Sequence, residues 1–172
     1  MAYMATLTEL ADAEVEIQRI EIDLDNGKQP WRCLFATPDF QEWAGNVLPE
    51  LETGIMQAEI SPNEQVYALF ADFIEGQHLE ENRRFKPLRY HPELFVWELK
   101  TIDIRIFGWF AAMDMFICCF GELKDVLENP NETTRTYDRY IAKTNFARHT
   151  LSLDEPKFVN FKEYANVLSD AD

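Results

Sequence analysis

Three apolar runs, at residues 95–99, 102–110 and 115–120, follow one another with breaks of only a few residues. Strands joined by breaks so short cannot be parallel, because a parallel pair needs a crossover of a dozen residues or more. The chain is therefore expected to fold around an antiparallel meander. Within its third run, "MFICCF" is apolar at every position, so both faces of that strand must be covered and the strand must be central.

The covering helices are legible upstream. Thr37 before Pro38, followed by acids, is an N-cap arrangement, and Phe40, Trp43, Val47 and Leu48 fall at helical spacing up to a break expected at Pro49. Ser61, Pro62 and Glu64 form a capping box, Val66, Leu69, Phe70, Phe73 and Ile74 make one apolar face, and Gly76 ends the helix. Before them, Ile20, Ile22 and Leu24 alternate with acids, Asn26-Gly27 is a hairpin turn signal, and residues 31–35 should return. Residues 1–14 read as a tail or short helix, 83–95 as an extended connection broken by prolines, and "RTYDRYIAKTNFARHTL" as a helix. The last residues, 160–172, read as a short helix and a frayed, peripheral acidic end. The expected fold is α+β, one domain over 1–172: an antiparallel sheet with an N-terminal β-hairpin, a helical hairpin on one sheet face, a three-stranded meander and a C-terminal helix.

Charge is distributed unevenly. The formal net charge is −15, and residues 1–75 hold 15 acids against 3 bases. Within 83–105 the balance reverses, to six bases against three acids. The net charge argues against general binding to DNA or RNA, while the basic middle could still hold one phosphate. No apolar run is long enough to span a membrane and the N-terminus has no signal-peptide pattern, so a cytoplasmic protein is expected. Cys33, Cys118 and Cys119 lack zinc-type spacing and read as reduced, buried and inert. His78, His91 and His149 are isolated, so no metal and no cofactor are expected.

The segments "FKPLRYHPELFVWELKTIDIRIFGWF" and "DMFICCFGELKDVLENP" resemble the RelE/ParE toxin superfamily, particularly its phage-type HigB-like branch. The resemblance covers about residues 31–145 and rests on a "K-P-L" segment, an "l-w-E-l-R" strand, a "y-R-i-f" strand and an apolar strand ending near a lysine. It implies a RelE-like fold, with helices on one sheet face and a concave site on the other. It also implies a metal-independent endoribonuclease in which the message's own 2′-hydroxyl attacks the adjacent phosphate on the ribosome. Partners would be an antitoxin protein and ribosome-bound mRNA.

On this resemblance Arg105 is the phosphate clamp, and Lys86 and Arg89 approach the same face. Lys124 and Tyr140 complete the catalytic set. Lys100, Arg84 and Trp109 would contact substrate, with Lys100 standing where the branch carries arginine. The chemistry suits cations on strands: an in-line attack builds charge on phosphate oxygens, and fixed donors stabilise it. Each residue also has a plainer reading. Glu98 with Arg105, or Lys100 with Asp103, would be cross-strand ion pairs, and Trp97, Phe107, Trp109 and Phe110 would be core. Two further functions stay open: a non-catalytic acidic interaction protein of phage or mobile-element origin that binds a basic partner, and a self-associating protein forming a homodimer.

Overall fold

The meander forms as expected and sets the sheet. In the computed structural model, which describes residues 2–13, 16–25 and 27–172 with side chains from Leu7 onward, β4 (Trp97–Lys100), β5 (Ile104–Ala112) and β6 (Met115–Leu123) pair antiparallel in sequence order. Upstream lie α1 (Ala2–Ala13), β1 (Gln18–Ile20), β2 (Cys33–Ala36), α2 (Pro38–Glu42), α3 (Pro62–Glu75) and β3 (Phe85–Pro87); downstream lie α4 (Lys124–Leu127), α5 (Tyr137–Thr150) and α6 (Tyr164–Val167). The fold is α+β. Its six strands run in the spatial order β1-β2-β6-β5-β4-β3, so β6, apolar throughout Met115–Phe120, lies inside the sheet.

Helix boundaries follow local chemistry. Thr37 accepts a hydrogen bond from the Phe40 N–H. The helix then widens into a π turn at Trp43–Val47 and tightens into a 3-10 turn at Leu48–Glu50; Pro49, which has no N–H, ends the regular ladder. For α3, Ser61 Oγ accepts from the Glu64 N–H at 3.2 Å and Glu64 Oε2 accepts from the Ser61 N–H at 2.9 Å. Gly76 closes that helix at φ +82°, where a Cβ would be strained.

Alternation along β5 assigns two cores. Ile104, Ile106 and Phe110 join Phe40, Leu69 and Phe73 of the helical hairpin. Phe107, Trp109 and Ala111 join Leu7 of α1 and Ile141 of α5. The second core corrects the expectation of a bare concave face: α1, α5 and residues 151–158 cover it, because its side chains are as apolar as those beneath α3. Trp109 is fully buried and donates its Nε1–H to the Lys157 carbonyl at 2.9 Å, so it has no surface to offer a base.

Other expectations need adjustment. The sheet is mixed, not wholly antiparallel: β2 runs parallel to β6, with Phe35 opposite Ile117, which the long intervening chain permits. The N-terminal ladder is shorter than the alternation predicts, pairing only Gln18–Ile20 with β2. Ile22 and Leu24 instead pack against the first core, and the Trp31 and Arg32 N–H groups donate to the Ile74 carbonyl at the end of α3. Asn26, half of the turn signal, lies outside the described residues. The connection at 83–95 contains a true edge strand, β3, against β4.

The C-terminal end is tied down, not frayed. Val167 and Leu168 are in the first core. The fully buried Arg32 side chain donates to the carbonyls of Ser169 (2.8 Å), Phe73 (3.2 Å) and Gln77 (2.9 Å) and to Asp170 Oδ1 (2.7 Å). Cys118 and Cys119 are buried free thiols whose proton affinity burial raises, whereas Cys33 is half-buried within 3.0 Å of Arg19 Nη2. No helix of the described residues is long and apolar enough to cross a membrane.

Candidate anion-binding site

The strand period places Lys86, Glu98, Lys100, Arg105 and Glu122 on the α5 face of the sheet. Register then decides their neighbours. Lys100 stands opposite Arg105, and Arg105 opposite Glu122; one step along, Lys86 stands opposite Glu98 and Glu98 opposite Phe107. Phe107 is where α5 seals the face, with the Tyr140 ring stacked on it at 5.0 Å and Tyr137 edge-on at 5.7 Å.

Beyond that seal, at the β4–β5 turn, a cleft of about 710 Å³ opens. It is lined by Lys100 and Arg105 from the sheet, Lys124 from α4, and Arg83 and Arg84 from the segment before β3, with Glu80 the one acid among its lining residues. Arg84 is paired with Asp72 at 3.1 Å, Arg83 with Glu80 at 3.2 Å, and Lys124 loosely with Glu128 at 3.9 Å. Lys100 and Arg105 have no carboxylate partner within ion-pair distance among the described residues. Lys100 Nζ donates to the Asn82 carbonyl at 2.7 Å. Arg105 is 6% exposed; its Nη1 donates to the carbonyls of Thr101 (2.7 Å) and Ile104 (2.9 Å), while its buried Nε has no partner.

Proton affinities reflect this arrangement. Partial burial, then repulsion from Arg105, lowers that of Lys100, against the pull of Glu98. Glu98 is wholly buried, and neither carboxyl oxygen has a hydrogen-bond partner. Desolvation raises its pKa, opposed by Arg105, Lys86 and Lys100. Burial and then the charge of Glu98 push the Tyr137 hydroxyl up to about 12.

The structure thus gathers Lys100, Arg105, Lys124 and Arg84 and separates the others. Lys86 shares their face but lies 3.5 Å from Glu98 Oε1 in an ion pair. Tyr140 donates its hydroxyl to Glu122 Oε2 at 2.7 Å, and burial, then that bond, raises its pKa. Arg89 is exposed beyond β3, outside the cleft. The cross-strand ion pairs Glu98–Arg105 and Lys100–Asp103 do not form. Glu98 pairs with Lys86, and Asp103 is buried, accepting from the Gly54 N–H (3.0 Å) and from Gln65 Nε2 (2.7 Å).

Sequence reasoning passed over Arg83, Gln65, Met56 and Ile102, which also line the cleft. Arg83 had a local signal in its neighbour Arg84. Gln65 and Met56 had none, since they lie far away in sequence on α3 and the loop before it. Among the described residues no group of three or more His, Cys, Asp or Glu side chains is placed to hold a metal ion. Scans of the chain against protein-family models, curated proteins and solved structures find no match.

Proposed function

We propose that this chain is a RelE/HigB-like, toxin-type protein whose cleft holds a phosphate of RNA between Lys100 and Arg105. One observation carries the reading. Two cations face each other in register, neither has a carboxylate partner among the described residues, and the buried Nε–H of one lacks any acceptor. Like charges directly opposed on a sheet are unfavourable, and an anion between them removes the repulsion and satisfies the donor. In a 2′-hydroxyl attack Arg105 would hold the charge that builds on the phosphate. Lys100, with its weakened hold on its proton, would exchange protons with the attacking or leaving oxygen, and Lys124 would add charge at the rim.

The test is induced expression followed by incubation of purified protein with ribosome-bound message. Growth arrest and mapped cleavage are expected, both lost in Arg105→Ala. Harmless expression together with intact message overturns the catalytic reading.

A second reading is a non-catalytic interaction protein that binds a basic partner. It is favoured by the engagement of Lys86 and Tyr140 with their own carboxylates and by the exposed acids Glu21, Asp23 and Asp25. Its signature is partner capture that fails at high salt; capture indifferent to salt would contradict it.

A further inference from the structure

The sheet leaves an opening where β2 stops and β6 runs on. Their pairing ends with Ala36 opposite Cys118. Beyond it, Phe120 and Gly121 of β6, Asp39 and Trp43 of the chain that follows β2, and Tyr140 and Lys143 of α5 line a cavity of about 200 Å³. Drug-sized ligands need about 300 Å³ or more, so this cavity suits one small group.

Its walls are fixed. A Cβ on Gly121 would lie 2.3 Å from Trp43 Cζ3, so the indole rests directly on the β6 backbone. Trp43 opens the π turn, a local widening that often marks a functional site. Phe120 is buried, with its ring centroid 6.1 Å from that of Tyr140. The Tyr140 hydroxyl is bonded to Glu122, which pins that ring too.

A cation already sits on these rings. Lys143 Nζ lies over Phe120 at 4.5 Å and over Tyr140 at 5.3 Å. Among the described residues Lys143 has no carboxylate within ion-pair distance, and Asp39 has no cation. The rings therefore offer their negative faces beside an unpaired carboxylate. A lysine ammonium is a poor permanent occupant, because it is compact and strongly hydrated, and this one is exposed on a flexible stem. A fully methylated ammonium has no N–H groups to hold water and loses less on entering.

We propose that Trp43, Phe120, Tyr140 and Asp39 form a binding site for a small quaternary ammonium group, which displaces Lys143. The positive charge meets the rings and Asp39, and the methyl groups fill the apolar volume. Lys143 is an internal competitor that holds the site until the ligand arrives. No side chain is shared with the cleft at Lys100 and Arg105, so the site stands or falls apart from the RNA reading.

The test is an NMR titration of the full chain with choline, at constant ionic strength to keep screening fixed. Saturable shifts are expected at the Gly121 amide and the Trp43 indole N–H, with a Kd of about 1 mM or tighter. The uncharged isostere of choline, with carbon in place of nitrogen, should bind about tenfold more weakly. Lys143→Gln should tighten choline binding about two- to fivefold. Asp39→Asn should weaken it by up to about fivefold, and Trp43→Ala should abolish it. Lys143 and Asp39 are exposed, so their variants keep the test readable if Trp43→Ala unfolds. Phosphatidylcholine vesicles form a second arm. Protein that sediments with them and is released by choline takes its ammonium from a lipid headgroup; binding to choline alone assigns a free solute.

Absence of saturable shifts in both wild type and Lys143→Gln overturns the proposal. Equal affinity for the uncharged isostere overturns it as well, by making the site a plain apolar pocket. Affinity unchanged in both Lys143→Gln and Asp39→Asn does the same, by placing the cation elsewhere. Binding in Lys143→Gln without binding in wild type supports the site and makes the lysine the stronger occupant.

Discussion

Lys100 on β4 and Arg105 on β5 are directly opposed cations with no carboxylate within ion-pair distance among the described residues. The pair is held by carbonyls, Asn82 for one and Thr101 and Ile104 for the other. Carbonyls orient cations without neutralising them. Sulfate or phosphate should therefore stabilise the protein. At ten times its dissociation constant an anion adds about 1.4 kcal/mol, about 3–5 °C in a chain of this size. Thermal melts should show that rise in wild type and lose it in Lys100→Gln. An equal rise in both would place the anion elsewhere.

Glu98 predicts a pH signature in stability. Its native pKa is raised above the ordinary 4.5 by burial, so the native state holds this proton more tightly than the unfolded chain. The stability it contributes is fully present below pH 4.5 and is lost as pH rises through the raised native value. Glu98→Gln removes that loss. The stability of the variant relative to wild type should therefore rise from acid to neutral pH in urea titrations. A difference flat with pH would mean that Lys86 keeps Glu98 ionised throughout.

Arg32 holds the C-terminal end through four acceptors and is itself fully buried. Arg32→Met keeps much of the volume but strands three carbonyls and Asp170. Breaking such a buried charge network costs about 3–5 kcal/mol. The denaturant midpoint should fall accordingly, and amide exchange should quicken at Ala171, whose N–H bonds the Gly76 carbonyl at 2.8 Å.

Gly108 sits where β5 meets the β6 bulge, with Phe107 opposite Phe120 and Gly108 opposite Cys118. A Cβ there would lie 2.0 Å from the Ile117 carbonyl oxygen, which belongs to a central strand and cannot move aside. Gly108→Ala should cost about 3 kcal/mol or more. Gly45→Ala, where a Cβ meets nothing within 4 Å, should be neutral or mildly stabilising. Calorimetry on the two variants distinguishes a packing requirement from a general glycine effect.

What the sequence by itself determined is local or nearly so. The capping box at Ser61 and Glu64, the stop at Gly76, the irregular turn around Pro49 and the antiparallel order of β4, β5 and β6 all follow from backbone chemistry and short connections. Once the meander is granted, alternation even places Lys100 and Arg105 on one face. Tertiary structure alone decided the rest. The parallel pairing of β2 with β6, the second core beneath α5, the Arg32 latch and the arrival of Arg83, Arg84 and Lys124 at one cleft join residues far apart in the chain. Such contacts are chosen by which arrangement buries the most apolar surface with its polar groups satisfied, a property of the whole molecule that no local pattern encodes. For the same reason Glu98 took Lys86 as its partner, and Asp103 turned inward to hold a loop.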